Sequence, residues 1–253
     1  MTRNLHTTMK PCFRIAGTFL VLAFMSCACL GQTYQVFKGD TINRIGKNGK
    51  QDGLWRKYYK NDTLFSEGRY KNGVRVGIHR IFYNTGKIQA VLTYRGTTGV
   101  SDAQMFYENG TVKAKGKYAG KERDSLWTFF DSQGKIASTE NYVKGKKEGL
   151  WKVYYSNGQV SQEITYKQDH KNGPLKEYFE NGNKKTEAIL KDGDFAGLVT
   201  VYHPNGKPYM RGNYKNGVRE GTWDVFNEDG TPDRKDIYKG GQLTNPPPGV
   251  EEK

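Results

Sequence analysis

The feature that most constrains this chain is an internal repeat of 24 residues. Gly53-Leu54-Trp55, Gly149-Leu150-Trp151 and Gly221-Thr222-Trp223 align at spacings of 96 and 72, both multiples of 24. Stepping by 24 from Gly53 reaches Gly77, Ser101, Ser125, Gly149, Gly173, Gly197 and Gly221, so eight repeats span residues 53–244 without insertion. With Gly53 as place 1, place 6 is aromatic in every repeat, from Tyr58 and Phe82 to Tyr202 and Phe226. Place 10 is Gly except at Asp62, and place 18 is Tyr except at Leu190. A fixed period of this length means one supersecondary unit stacked on copies of itself, each burying its apolar surface against its neighbours.

Each repeat reads as two short strands, at about places 2–7 and 11–18, joined by a stretch that usually ends in Asn-Gly or Asp-Gly. Such dipeptides between strands mark hairpins. Two turns compete: a two-residue turn pairing place 7 with place 12, and a three-residue type I turn closed by a left-handed residue, pairing place 7 with place 11. His203-Pro204-Asn205-Gly206-Lys207 selects the second, because Pro204 supplies the negative φ of the first central position. Simple alternation from that turn puts places 2, 6, 12, 14, 16 and 18 on one core-facing side. Places 3 and 7 then project from the other side. They carry Trp55, Trp127, Trp151 and Trp223, and Tyr59, Tyr83, Tyr107 and Tyr155. The expected fold is all-β: an elongated single-sheet meander of eight 24-residue hairpin repeats.

Composition supports an ordered chain of strands and turns. Disordered chains lack aromatics, and this one has 17 Tyr, 12 Phe and 4 Trp beside 31 Gly. The apolar fraction of 35% is too lean for a large enzyme core built on buried helices.

Residues 1–31 read as a signal peptide. Arg3, Lys10 and Arg14 precede an apolar run from Ile15 to Leu30, and no acidic residue occurs before Asp40. The run is shorter than the ~20 residues of a membrane-spanning helix. Cleavage after Gly31 and lipidation at Cys27 are the two exits, and both imply export to the periplasm, cell envelope or medium with no transmembrane domain in the mature chain. Cys12, Cys27 and Cys29 all lie in this leader, so simple cleavage leaves neither disulfide nor thiol. Residues 32–52 read as an N-terminal cap hairpin. Residues 245–253, with Pro246-Pro247-Pro248, read as a disordered tail.

The pattern G-x-W-x-x-Y-Y-x-N-G-x-x, followed by Tyr and K-x-G-x-x-x-G, resembles the MORN repeat in its bacterial variant form, over about residues 47–243. The resemblance implies a meander of antiparallel hairpins without an enclosed active site. Many bacterial members of that family carry an antitoxin label.

The residues offer little chemistry. His79, His170 and His203 fall in different places of different repeats, and no nucleophile elbow occurs. The expectation is therefore no enzyme, no metal and no cofactor. The net charge of +14 falls to +11 without the leader, and it is spread over turns and strands. Together with the aromatic residues of places 3 and 7, it points to a non-catalytic exported scaffold that binds a protein or an anionic envelope polymer or lipid surface. The alternative is an antitoxin or immunity-like protein that neutralises a toxin by direct binding. Export argues against nucleic acid as the partner.

Overall fold

The computed structural model describes residues 33–37 and 40–245. The leader with its two exits, and residues 246–253 of the tail, lie outside the described residues. All regular structure among them is β-strand, paired antiparallel with neighbours along the chain. The chain divides into two compact units, residues 1–110 and 111–253. The first contains a hairpin of Thr33–Phe37 and Asp40–Ile45, joined through Ile45↔Gln51 to the strands of repeats 1 and 2 and the first strand of repeat 3. The second is a meander from Val112–Ala119 to Gln242–Leu243.

The expected turn is present. In repeat 5, the Tyr155 amide donates to the Gln159 carbonyl at 2.8 Å and the Gly158 amide to the Tyr155 carbonyl at 2.9 Å. Gly158 sits at φ 88° and Gly206 at φ 87°, where a side chain would be strained. Asp62, the exception at place 10, takes the same left-handed conformation at φ 65°.

The faces differ from expectation. Place 6 does lie opposite place 12, as in Tyr154↔Val160. The next pair is Val153↔Gln162, which leaves Ser161 unpaired in a one-residue bulge. The same bulge follows the turn at Lys57/Tyr58, Ile81/Phe82, Phe129/Phe130, Glu177/Tyr178, Val201/Tyr202 and Val225/Phe226. One extra residue reverses the alternation of everything beyond it. Places 14, 16 and 18 therefore share a face with places 3 and 5, and not with places 2 and 6. Tyr154 and Tyr166 lie on opposite faces, with Tyr166 packed on Trp151 at 4.8 Å between ring centroids.

The core follows from that reversal. Place 3 is buried in seven repeats, as His79, Ala103, Trp127, Trp151, Leu175, Val199 and Trp223, and half-buried as Trp55. Leu126 and Leu198 at place 2, expected inside, are 52% and 59% exposed. From repeat 2 on, each place 3 side chain lies over place 16 of the preceding repeat, and under three of the rings volume is traded because that place is glycine; under Trp151 it is Glu140, and under Leu175 it is Ile164. Gly116 lies under Trp127, and Gly212 under Trp223; a Cβ would stand 2.2 and 2.3 Å from the respective indoles. Gly68 lies under His79 in the same way. Where place 3 is Ala103 its partner is Leu92, and the register Thr186↔Val201, Glu187↔Thr200 sets Val199 by Ala188. Tyr residues of place 18 wedge the row from both sides, as Tyr142 and Tyr166 flank Trp151 and Tyr214 and Tyr238 flank Trp223.

Hydrogen bonds tie successive repeats at both rims. The Tyr155 hydroxyl donates to the Tyr178 carbonyl at 2.7 Å, 23 residues on, and Tyr59 and Tyr83 do the same to Phe82 and Phe106. At place 9, the Asn157, Asn181 and Asn205 side chains accept the place 11 amide of their own turn and donate to the place 8 carbonyl of the next repeat. The last repeat has Asp229 there, whose side chain accepts only from Thr231 of its own turn. At the opposite rim, the amides of Gly145, Asp169, Gly193 and Gly241 reach back to the carbonyls of Arg123, Lys147, Lys171 and Arg219. Asn245, expected to open the tail, instead bonds the strand Pro232–Lys239, accepting the Ile237 amide at 2.6 Å and donating to the Lys235 carbonyl at 2.8 Å.

Two outcomes test this packing. Gly212→Ala should destabilise by about 1–3 kcal/mol through overpacking against Trp223. Combining it with Trp223→Val, which copies the Ala188–Val199 pair, should cost less than the two single changes summed; additive effects in a chemical-denaturation cycle would refute the volume trade. His79 is buried with Nε2 bonded to the Arg69 carbonyl at 2.7 Å, and burial lowers its pKa. The unfolded chain then takes up a proton first as pH falls below about 6.5. Stability should be full above that pH and decline below it until the folded imidazole also protonates. His79→Trp, which restores the ring found over Gly116 and Gly212, should remove this part of the acid loss when denaturation midpoints are compared from about pH 7 to about pH 5.

Candidate binding face

The eight residues expected to form a partner platform divide into two structural roles. Trp127 and Trp223 have no exposed surface and Trp151 has 9%. Their burial corrects the expectation that these rings project from the sheet, and the cause is the bulge that follows each hairpin turn. Trp55 is half-buried, and its indole donates to the Arg44 carbonyl at 3.3 Å. Trp127 and Trp151 donate to the Lys117 and Asn141 carbonyls, both at 3.0 Å. Trp223 makes no such bond, and its Nε1 is buried without an acceptor among the described residues. Tyr59, Tyr83 and Tyr155 spend their hydroxyls on the inter-repeat ties, and Tyr107 is half-buried.

What covers the tryptophans is a set of cations from place 23, which the sequence reading did not single out. In the first unit, the Arg75 guanidinium donates to the Tyr70 and Tyr94 hydroxyls at 3.2 and 3.1 Å. In the second, Arg123 stands 5.0 Å above Trp127 and donates to the Tyr142 hydroxyl at 3.0 Å. Lys147 stands 4.5 Å above Trp151, and Arg219 stands 4.6 Å above Trp223 while donating to Tyr238. Each such contact contributes about 0.5–2 kcal/mol, the larger values where water is excluded. None of these four cations pairs with a carboxylate among the described residues. Burial and a hydrogen bond to Glu140 push the Tyr142 hydroxyl up to about 12, so it stays protonated and neutral beside Arg123.

The opposite face carries two parallel rows. One is a ladder of places 4 and 15, directly paired across strands. It runs Arg56↔Glu67↔Arg80 in the first unit and Lys152↔Glu163↔Lys176↔Glu187 in the second, where Arg211↔Asp224↔Lys235 follows. Lys152 reaches Glu163 at 2.8 Å and Glu67 lies 3.5 and 3.3 Å from Arg56 and Arg80. The Lys152 hydrogen bond holds the Glu163 carboxyl below its usual range, and the Tyr202 hydroxyl does the same for Glu187. Partly exposed pairs of this kind give at most about 1 kcal/mol each. Their stronger effect is on register, because a one-residue slip would remove every partner.

The second row is open to water and sets aliphatic side chains among small polar ones such as Asn141, Thr165, Asn213 and Thr222. In the second unit the aliphatic residues are Leu126, Leu150, Ile189, Leu198 and Ile237, each between 42% and 59% exposed. These residues belong to places 2 and 17, which the pairs Leu126↔Asn141, Leu150↔Thr165, Pro174↔Ile189, Leu198↔Asn213 and Thr222↔Ile237 set side by side. Ile78 is the equivalent residue in the first unit. The described residues contain no group of His, Cys, Asp and Glu that could hold a metal ion, and no helix long and apolar enough to cross a membrane.

Comparison with known proteins places this arrangement. No curated protein matches the chain. Two solved structures resemble parts of it weakly: a Photorhabdus luminescens Tc holotoxin pore bearing TccC3-D651A, at 8% identity and a TM-score of 0.22, and a TcdB2-TccC3-Cdc42 complex, at 10% identity and 0.16. They match over 79% and 85% of this chain, which spans only 16% and 14% of theirs. A sequence profile described as the MORN repeat variant matches residues 51–72, 75–95, 102–119, 147–168, 171–192 and 196–216. Repeats 4 and 8, outside those matches, close with the same turn, the Gly134 and Gly230 amides donating to Asp131 and Asn227 at 3.0 and 2.8 Å. The six matches and the hairpin common to all of these segments make the chain a MORN repeat protein of the variant type.

Proposed function

We propose that this protein is a non-catalytic, exported scaffold that captures a protein partner on the face opposite its tryptophans. The observation that carries the reading is the open aliphatic row of Leu126, Leu150, Ile189, Leu198 and Ile237. Aliphatic side chains aligned in water on a sheet face mark an interaction surface. The adjoining charge ladder gives a partner a pattern of alternating sign to match, and complementarity of that kind selects partners and speeds encounter more than it adds affinity. The surplus of basic residues favours an acidic partner. Export rests on the basic-then-apolar leader, with a mature terminus at Gln32 or at lipidated Cys27.

Leu150→Ser with Leu198→Ser tests the row. Both side chains are largely exposed, so the thermal transition should hold within the ±0.5 kcal/mol usual for surface changes. Immobilised wild-type protein should retain a defined protein from envelope extract, less of it as salt rises, and the double variant should lose it. Equal retention by the variant would sink the proposal. A stoichiometric, growth-inhibiting protein in the eluate would turn the same surface to an antitoxin role. Glycan or lipid fragments recovered without protein would assign the capture to an envelope polymer or lipid surface.

A further inference from the structure

Eight Asn-Gly dipeptides punctuate the chain, at Asn48, Asn72, Asn109, Asn157, Asn172, Asn181, Asn205 and Asn216. In any Asn-Gly the glycine amide nitrogen can attack the asparagine Cγ, since no side chain shields it. The reaction needs an exposed asparagine whose side chain can rotate and a glycine amide that can shed its proton. The structure supplies these conditions unequally.

At Asn157, Asn181 and Asn205 both reacting groups are held. Each side-chain oxygen accepts a backbone amide within its turn, at 2.9, 3.0 and 2.9 Å, and each side-chain nitrogen donates to the next repeat. The glycine amides that would attack, Gly158, Gly182 and Gly206, each donate to the place 7 carbonyl at 2.9 Å. Asn48 and Asn72 bond one another, and their glycines donate to the Gly46 and Gln51 carbonyls. Gly110 donates to Tyr107. Asn172 lies within a strand, with Gly173 paired to Leu190.

Asn216 differs. It occupies the first position of the turn between Pro208–Lys215 and Val218–Phe226, exposed, at φ 51°, with Gly217 at φ 78°. Its side chain makes no hydrogen bond among the described residues, and the Gly217 amide donates to none. The equivalent amides of Gly145, Gly193 and Gly241 each reach a carbonyl of the preceding repeat. The equivalent of the Asn216 backbone amide is also held elsewhere, where Lys144, Gln168 and Gly240 donate to Asp124, Glu148 and Glu220. Repeat 6 presents Ala196 at that position, which has no acceptor to offer.

We infer that Asn216 is a site of spontaneous backbone-directed deamidation, and that the place 9 asparagines are protected by the fold. The Gly217 nitrogen, its proton lost to water, forms a bond to Asn216 Cγ. The bond from Cγ to the side-chain nitrogen breaks, and that nitrogen takes a proton from water and leaves as ammonia. Water then opens the cyclic imide at either carbonyl, giving aspartate or isoaspartate. The aspartate product fits the turn, because Asp192-Gly193 already occupies the same place one repeat earlier at φ 52°. The isoaspartate product inserts a methylene into a two-residue turn. Its strain falls on the hairpin that carries Trp223 over Gly212.

Incubation of the full chain at mildly alkaline pH, followed by peptide mapping, tests the assignment. Asn216 should convert at least about tenfold faster than Asn157, Asn181 and Asn205, the ratio that about 1.4 kcal/mol of hydrogen bonding at the held sites provides. In denaturant the four rates should converge. Ala196→Glu, which restores the acceptor present as Glu148 and Glu220, should slow Asn216 in the folded chain and leave its rate in denaturant unchanged. Asn216→Asp should fold with an unchanged thermal transition and remove the fast phase of ammonia release. Conversion of the place 9 asparagines at the Asn216 rate, or an Asn216 that reacts only after unfolding, would overturn the inference.

Discussion

A flat ring laid on a bare backbone is the contact on which the rest of this structure depends. A single sheet has no second layer to cover its apolar face, so neighbouring repeats must supply both the covering side chain and the surface beneath it. The indoles of Trp127 and Trp223 achieve full burial because Gly116 and Gly212 let them lie flat, because Tyr residues of place 18 close their sides, and because Arg123 and Arg219 cover the top. Other repeats fill the contact with aliphatic pairs, Ala103 on Leu92 and Leu175 on Ile164. The ring of His79 preserves the N–H donor that an indole would offer at that position.

Hydrogen bonds at the rims convert this local packing into an array. The place 7 hydroxyls and place 9 amides of one repeat donate to carbonyls of the next, while amides of the opposite turn donate to the one before. Stability of such a stack is a sum of repeat and neighbour contributions. The chemistry changes where the neighbour ends. Asp229 replaces the asparagine whose second bond would have no recipient, and Asn245 uses its side-chain amide in place of a further strand on the last edge. An edge closed in this way, beside the charged residues Asp233, Arg234 and Lys235, does not invite pairing with another chain.

The two faces consequently differ in what they present to water. The tryptophan face shows its cations, each fixed by hydroxyls or rings and lacking a carboxylate partner among the described residues. The opposite face shows alternating charge and an aliphatic row. Aromatic anchors are common at binding hot spots, but here the indoles of Trp127, Trp151 and Trp223 are consumed by the fold, and most of the exposed large apolar side chains are aliphatic.

The sequence alone determined the 24-residue period, the number of hairpins, their turn and the family. Those are properties of neighbouring residues: Pro204 sets a dihedral, Gly206 accepts a left-handed one, and the repetition multiplies each signal eightfold. It did not determine which face is inside. That depends on one unpaired residue at place 13, filled by Phe65, Gln89, Ala137, Ser161, Lys185, Tyr209 and Asp233 in the repeats where the bulge occurs. No side chain is required at that position, because the bulge is selected by packing between strands rather than by local preference. Only the tertiary structure therefore decided that Trp151 is core and Leu150 is surface. A trace of that decision was present in the chain, in Gly68, Gly116 and Gly212 of place 16, each followed by a ring at place 3 of the next repeat. It becomes legible once the two places are known to touch.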